Sequence, residues 1–265
     1  MNFYFLPRVD GLKSSVTLVN FTSMDDHERH GKLTNQLIYV TWSDGQNWQH
    51  RQLGELNIGD SKVFELSDLP DEIPNDVTPF LYCYPESVKA VTGSQIEGQH
   101  MKTLPNWRGN IKLSSSLATA SYQGEYPGEM TLVPKGSFVS VNPMMQSEPG
   151  VLNKILFVNM SSKADMNDHD FKILRMSDRK VLSCQIVRNN NCTVVDLDAV
   201  SANDDDLLIS VCPTLLGIPV YLSYDEGLAT ISLEHTHPPV SSVLFGDTLS
   251  FQRHMKSYWL SLVTQ

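Results

Sequence analysis

The feature that most constrains the fold is a stretch that occurs twice. Residues 117–127 read Leu-Ala-Thr-Ala-Ser-Tyr-Gln-Gly-Glu-Tyr-Pro, and residues 228–238 read Leu-Ala-Thr-Ile-Ser-Leu-Glu-His-Thr-His-Pro. The two agree without a gap at the Leu, Ala, Thr, Ser and Pro positions. Further matches follow in the same order along the chain. Val19-Asn20 corresponds to Val158-Asn159, and Ser43-Asp44 to Ser177-Asp178. Residues 62–66 correspond to 193–197, and 80–85 to 207–213. Ordered self-similarity of this kind is the mark of a duplicated unit, here of about 110 residues.

Each copy consists of short runs rich in β-branched and aromatic residues. In the first copy these are residues 16–22, 36–42, 62–66 and 79–84. Turn residues separate them, notably Asp44-Gly45, Ile58-Gly59-Asp60 and the Pro-bounded 70–74. Short strands with such punctuation pack as sandwiches or small barrels. The expected fold is all-β: two tandem, internally duplicated β-sandwich-like domains with a short C-terminal α-helix. The first copy is expected over residues 1–128, a hairpin and linker over 129–150, and the second copy with the helix over 151–265. The helix rests on Met255, Tyr258, Trp259 and Leu262 at i, i+3, i+4 and i+7, with Asp247 or Thr248 as cap. Its aromatic pair suits either packing on its own domain or a homodimer contact.

Composition narrows the partners. The formal charge is −10 over 265 residues, with no clustered basic stripe. Such a chain repels phosphate backbones and anionic membrane surfaces, so neither nucleic acid nor membrane is the expected partner. No apolar run approaches the roughly 18 residues that span a bilayer. Residues 1–7 lack the basic region of a secretory leader and read as a first strand, so a cytoplasmic location is expected. The four cysteines show no C-x-x-C spacing and are expected to be free thiols. Residues 188–191, Arg-Asn-Asn-Asn, read as a hairpin loop that sets Cys184 opposite Val195 and Val187 opposite Cys192.

The candidate chemistry lies where the two repeats diverge. On a strand, His235 and His237 fall on one face, with Glu234 and Thr236 on the other. Two imidazoles so spaced are a partial site for a divalent metal, needing further ligands from elsewhere. Glu234 and Glu125 are then the candidate acid–base groups. In the first copy, Tyr122 and Tyr126 share a face if their segment is extended, leaving an opening over Gly124. Together with Trp107 from the long 86–110 connection, they make a candidate aromatic platform for a sugar ring. Three functions follow. The leading one is a cytosolic binding or accessory module for a small polar ligand, with carbohydrate foremost. The alternatives are a metal-dependent enzyme with the His-x-His site on the second domain, and a structural or assembly protein.

Overall fold

The computed structural model describes residues 2–20, 34–85, 91, 93–96, 109–123, 126–127, 137–140, 149–198, 200, 208–235, 258 and 261. The fold is nearly all β, with four antiparallel sheets. The chain forms two compact units. Unit 1 comprises Met1–Ser115, Thr119–Leu132 and Ser161–Met166, and unit 2 comprises Ser116–Ala118, Val133–Met160 and Asn167–Gln265.

Unit 1 contains β1 (Asn2–Phe5), β2 (Lys13–Val19), β3 (Gln36–Ser43), β4 (Trp48–Leu56), β5 (Ser61–Glu65), β6 (Phe80–Pro85), β7 (Asn110–Ser114), β8 (Thr119–Gln123) and β9 (Tyr126–Pro127). One sheet runs β4-β3-β6-β1-β9 and the other β5-β2-β7-β8. Unit 2 contains β10 (Ser137–Ser140), β11 (Val151–Val158), β12 (Asp168–Arg175), β13 (Val181–Arg188), β14 (Cys192–Asp196), β15 (Leu208–Cys212), β16 (Ile218–Asp225) and β17 (Ile231–His235). Its sheets run β13-β12-β15-β10 and β14-β11-β16-β17. Adding nine to the strand numbers of unit 1 reproduces both orders of unit 2, with β9 as the one addition. β8 and β17, which fall within residues 117–127 and 228–238, take corresponding edge positions. β10 pairs with β15, so residues 137–140 of the expected hairpin-and-linker region are a strand of unit 2.

Alternation along the strands builds the cores. In β2 and β7 the buried apolar positions are Val16, Leu18, Ile111 and Leu113. In unit 2, Ile155 and Phe157 of β11 meet Phe171 and Ile173 of β12, Val187 of β13, Val195 of β14 and Tyr221 of β16 in one cluster. β6 is buried on both faces, since Leu81 and Cys83 alternate with Tyr82 and Tyr84 and all four are enclosed. Tyr82 and Tyr84 stack with Tyr39 of β3 at centroid distances of 5.7 and 5.3 Å. The Val91 N–H donates to the Tyr82 Oη at 3.1 Å.

Residues 188–191 are not a hairpin loop within one sheet. β13 pairs with β12, whereas β14 pairs with β11, so the chain crosses between sheets there. The cause is that Val187 and Val195 must both reach the interior, where each is fully buried. Asparagines hold the crossing. The Asn159 N–H donates to the Asn191 carbonyl at 3.0 Å. Its Nδ2 donates to the Leu216 carbonyl at 2.6 Å, and its Oδ1 accepts from the Asn190 N–H at 2.9 Å. Unit 1 repeats the device between β4 and β5. There the Asn20 N–H donates to the Asp60 carbonyl at 3.0 Å, and its Nδ2 donates to Leu56 O and Thr34 O. Both asparagines are buried.

Cys184 lies opposite Lys172, on a different sheet from Cys192, and all four cysteines are unbridged. Of the expected C-terminal helix, only Tyr258 and Ser261 are described. Both are helical, and the Ser261 hydroxyl donates to the Tyr258 carbonyl at 2.6 Å. Among the described residues no helix is long and apolar enough to cross a membrane.

Candidate functional site

Of the residues singled out in the sequence, the structure describes Tyr122, Tyr126, Glu234 and the backbone of His235. Trp107, Glu125 and His237 lie outside the described residues. His235 ends β17 with its backbone opposite Val220, and Glu234 is exposed opposite Tyr221. Among the described residues no three His, Cys, Asp or Glu side chains come close enough to share a metal ion. His169 of β12 is engaged with the Thr214 hydroxyl at 2.7 Å.

The two tyrosines do not share a face. Tyr122 sits in β8, and its ring lies 6.5 Å from that of Phe5. Tyr126 sits in β9, opposite Phe3, on the other sheet of unit 1. The chain changes sheets between Gln123 and Tyr126, which breaks the period of two on which the shared face depended. Tyr126 is 0% exposed. A ring so enclosed presents no open surface to a ligand.

Unit 1 does carry a depression of about 310 Å³, lined by Trp42, Asp44, Gln49, His50, Arg51, Glu72 and Pro74. It is built on the β3–β4 hairpin. The register sets Trp42 opposite Gln49, Thr41 opposite His50 and Val40 opposite Arg51. Asp44 fixes the turn: its Oδ1 accepts the N–H groups of Gln46 and Asn47 at 2.8 and 2.7 Å, and its Oδ2 accepts from Gln49 Nε2 at 2.7 Å. Gly45 takes the positive φ of 90° that the turn requires. The connection after β5 supplies the opposite wall, where Glu72 meets the Arg51 Nε at 2.5 Å.

The electrostatics suit hydrogen bonding. The Asn47 N–H, helped by those of Gln46 and the Gln49 amide, holds the Asp44 carboxyl below the usual carboxylate range. Burial, and then the adjacent Arg51 charge, lowers the His50 pKa from its ordinary value, so the imidazole is neutral at neutral pH. Its ring lies 6.1 Å from that of Tyr39. Arg51 and Glu72 are both well exposed, so their pair contributes little stability, of order 0–1 kcal/mol. What it does is orient two planar polar groups at the rim. The lining therefore combines one indole and one proline ring with an ionised carboxylate, a primary amide, a neutral imidazole and a guanidinium–carboxylate pair.

The sequence signalled the hairpin through Asp44-Gly45 and signalled the aromatic bias of this copy. It gave no sign of Glu72 and Pro74, which a connection of irregular backbone brings to the edge of β4. Compared with protein-family models, with curated proteins and with solved structures, the chain matches none.

Proposed function

We propose that the chain is a cytoplasmic binding or accessory module, made by tandem duplication of one β-sandwich unit, that takes a small hydroxyl-rich ligand in the depression of unit 1. A carbohydrate is the first candidate. The observation that carries this reading is the lining itself. The proline ring, with the edge of the largely buried Trp42 indole, stands among planar donors and acceptors, a combination that suits a sugar's apolar C–H face and its ring of hydroxyls. The ionised Asp44 carboxylate and the neutral His50 imidazole offer hydrogen-bonding groups to such a ligand. Support for duplication comes from the two strand orders that differ by a constant offset, and from Asn20 and Asn159 at corresponding sheet crossings. The C-terminal helix over residues 247–262 belongs to the same proposal, supported by the helical Tyr258 and Ser261 and by the apolar period of its sequence.

The test is an NMR titration of the isotope-labelled chain with a panel of neutral and acidic mono- and disaccharides. A binder should shift the amides of Gln49, His50, Arg51 and Glu72 in a saturable way. His50→Ala and Glu72→Gln, both at the rim of unit 1, should weaken that binding about tenfold while leaving the remaining spectrum in place. A panel that shifts none of these amides, or a binder unaffected by both substitutions, overturns the assignment.

A further inference from the structure

β13 is the outer strand of its sheet, in the order β10-β15-β12-β13, and among the described residues nothing pairs with its other side. The register fixes what that open side presents. The Asn189 N–H donates to the Asn167 carbonyl at 2.9 Å, one step before the pairing of Asp168 with Arg188. Antiparallel pairs alternate, so the hydrogen-bonded ones are His169 with Val187, Phe171 with Gln185 and Ile173 with Ser183. The N–H and C=O groups of Cys184 and Ile186 therefore point away from β12. Arg188 obeys the same alternation, and its outward N–H donates to the Thr193 hydroxyl at 3.2 Å. Those of Cys184 and Ile186 meet no partner among the described residues.

The side chains along this edge are apolar and exposed. A register shift skips Leu182, which sets Val181 opposite Leu174, Cys184 opposite Lys172 and Ile186 opposite Asp170. All three thus stand on the outer face, away from Phe171 and Ile173 in the core. Val181 is 44% and Ile186 55% exposed, and Cys184 is exposed as well. Apolar edges invite pairing, and chains blunt them with lysine, proline or bulges. Residues 183–187 carry none of these. β4 holds the corresponding edge of unit 1 and differs in both respects. It exposes Arg51, Gln52 and Glu55, and its first N–H, that of Trp48, donates to the Gly93 carbonyl at 2.7 Å.

We propose that β13 is a dimer strand, pairing antiparallel with β13 of a second copy of this chain across a two-fold axis at Gln185. The edge selects that occupant because it is complementary to itself. With the axis at Gln185, Cys184 faces the partner's Ile186 and Ile186 faces the partner's Cys184, and their outward groups exchange four main-chain bonds. Gln185 then meets the partner's Gln185, and Ser183 the partner's Val187, so no like charges oppose. An axis at Ile186 would need the Arg188 N–H that Thr193 holds, and an axis at Cys184 would need Leu182 in the bulge. The contact is isologous and joins two four-stranded sheets into one. It uses no residue of the unit 1 depression, so it stands independently of the sugar reading.

Sedimentation velocity of the full chain tests it, over a hundredfold range of concentration ending at about 0.5 mM, since so small a contact associates weakly. The parent should show a reversible monomer–dimer equilibrium. Ile186→Pro removes an outward N–H that β12 does not use, a loss that an edge strand tolerates. It should raise the dimer dissociation constant about tenfold, since one bond is lost from each copy. Val63→Lys, at an exposed apolar position of β5 in unit 1, should leave that constant unchanged. A parent that stays monomeric throughout, a dimer that Ile186→Pro leaves intact, or equal weakening by Val63→Lys overturns the proposal. If Ile186→Pro does not fold by circular dichroism, Ile186→Lys takes its place with the same expectation. Ile186→Cys reads the register, because it sets a thiol opposite the partner's Cys184. Mild oxidation should then give a covalent dimer on a non-reducing gel, and its absence overturns the pairing.

Discussion

Asn159 is the most informative residue to perturb. It is 2% exposed and stands where the chain crosses from β13 to β14. Asn159→Ala removes the 2.6 Å bond to the Leu216 carbonyl and the 2.9 Å bond from the Asn190 N–H. Each buried bond of this kind contributes about 1 kcal/mol net, and disturbing a buried partner costs more. The expected loss is about 2–3 kcal/mol, a large share of the 5–15 kcal/mol that holds a typical domain. For a unit of this size that is a fall in Tm of roughly 10 °C. Asn159→Asp is the sharper variant. It keeps the acceptor for Asn190 but sets a carboxylate oxygen against the Leu216 carbonyl. Burial and that carbonyl raise the aspartate pKa in the folded state, and protonation restores a donor. A group whose folded pKa is raised contributes stability below its unfolded pKa and loses it as pH rises through the folded value. Asn159→Asp should therefore be less damaging at pH 4 than at pH 7, whereas the cost of Asn159→Ala stays constant. Urea unfolding followed by circular dichroism at both pH values measures this. A loss under 0.5 kcal/mol for Asn159→Ala (the spread of neutral surface changes), or a pH-independent cost for Asn159→Asp, refutes the pegging role.

Two further predictions come from packing and burial. A Cβ on Gly217 would fall 2.2 Å from the Phe157 ring inside the unit 2 core; Gly217→Ala should cost about 1–3 kcal/mol by overpacking, Phe157→Leu in the same chain should recover part of that loss, and the absence of any recovery in thermal melts counts against the contact. Burial pushes the thiol of Cys83 up to about 12 and that of Cys212 up to about 11, and raises that of Cys192, while Cys184 is exposed; a thiol reagent at pH 8 should titrate one group quickly in the native chain and four after denaturation, and two or more fast native thiols would contradict the burial.

The β-class of the chain was legible because side-chain alternation is a local property. Asn110–Ser114 buries every second residue, the apolar Ile111 and Leu113, and Lys13–Val19 buries Val16 and Leu18 at the same spacing, which is written in their sequence. The Asp44-Gly45 hairpin was legible for a similar reason, since a positive φ and a carboxylate that accepts two nearby N–H groups are local requirements. The candidate site was legible only in its hairpin half. Glu72 and Pro74 reach it through a connection whose path depends on everything it packs against. Tyr122 and Tyr126 went to different sheets because two strands can be continuous in sequence and still belong to opposite layers.

By itself, then, the sequence determined the β-class and turns such as Asp44-Gly45, which rest on interactions within a few residues. Tertiary structure decided which sheet each strand joins. The choice between β13–β14 pairing and a crossing turned on burying Val187 and Val195 together and on Asn159, 31 residues from the Asn190 N–H it accepts. The placing of Ser161–Met166 in unit 1 was settled in the same way, by backbone groups at Ser94 and Ile96 and by the Trp48 indole. Backbone donors and acceptors are identical at every residue, so no local pattern records which of them will meet.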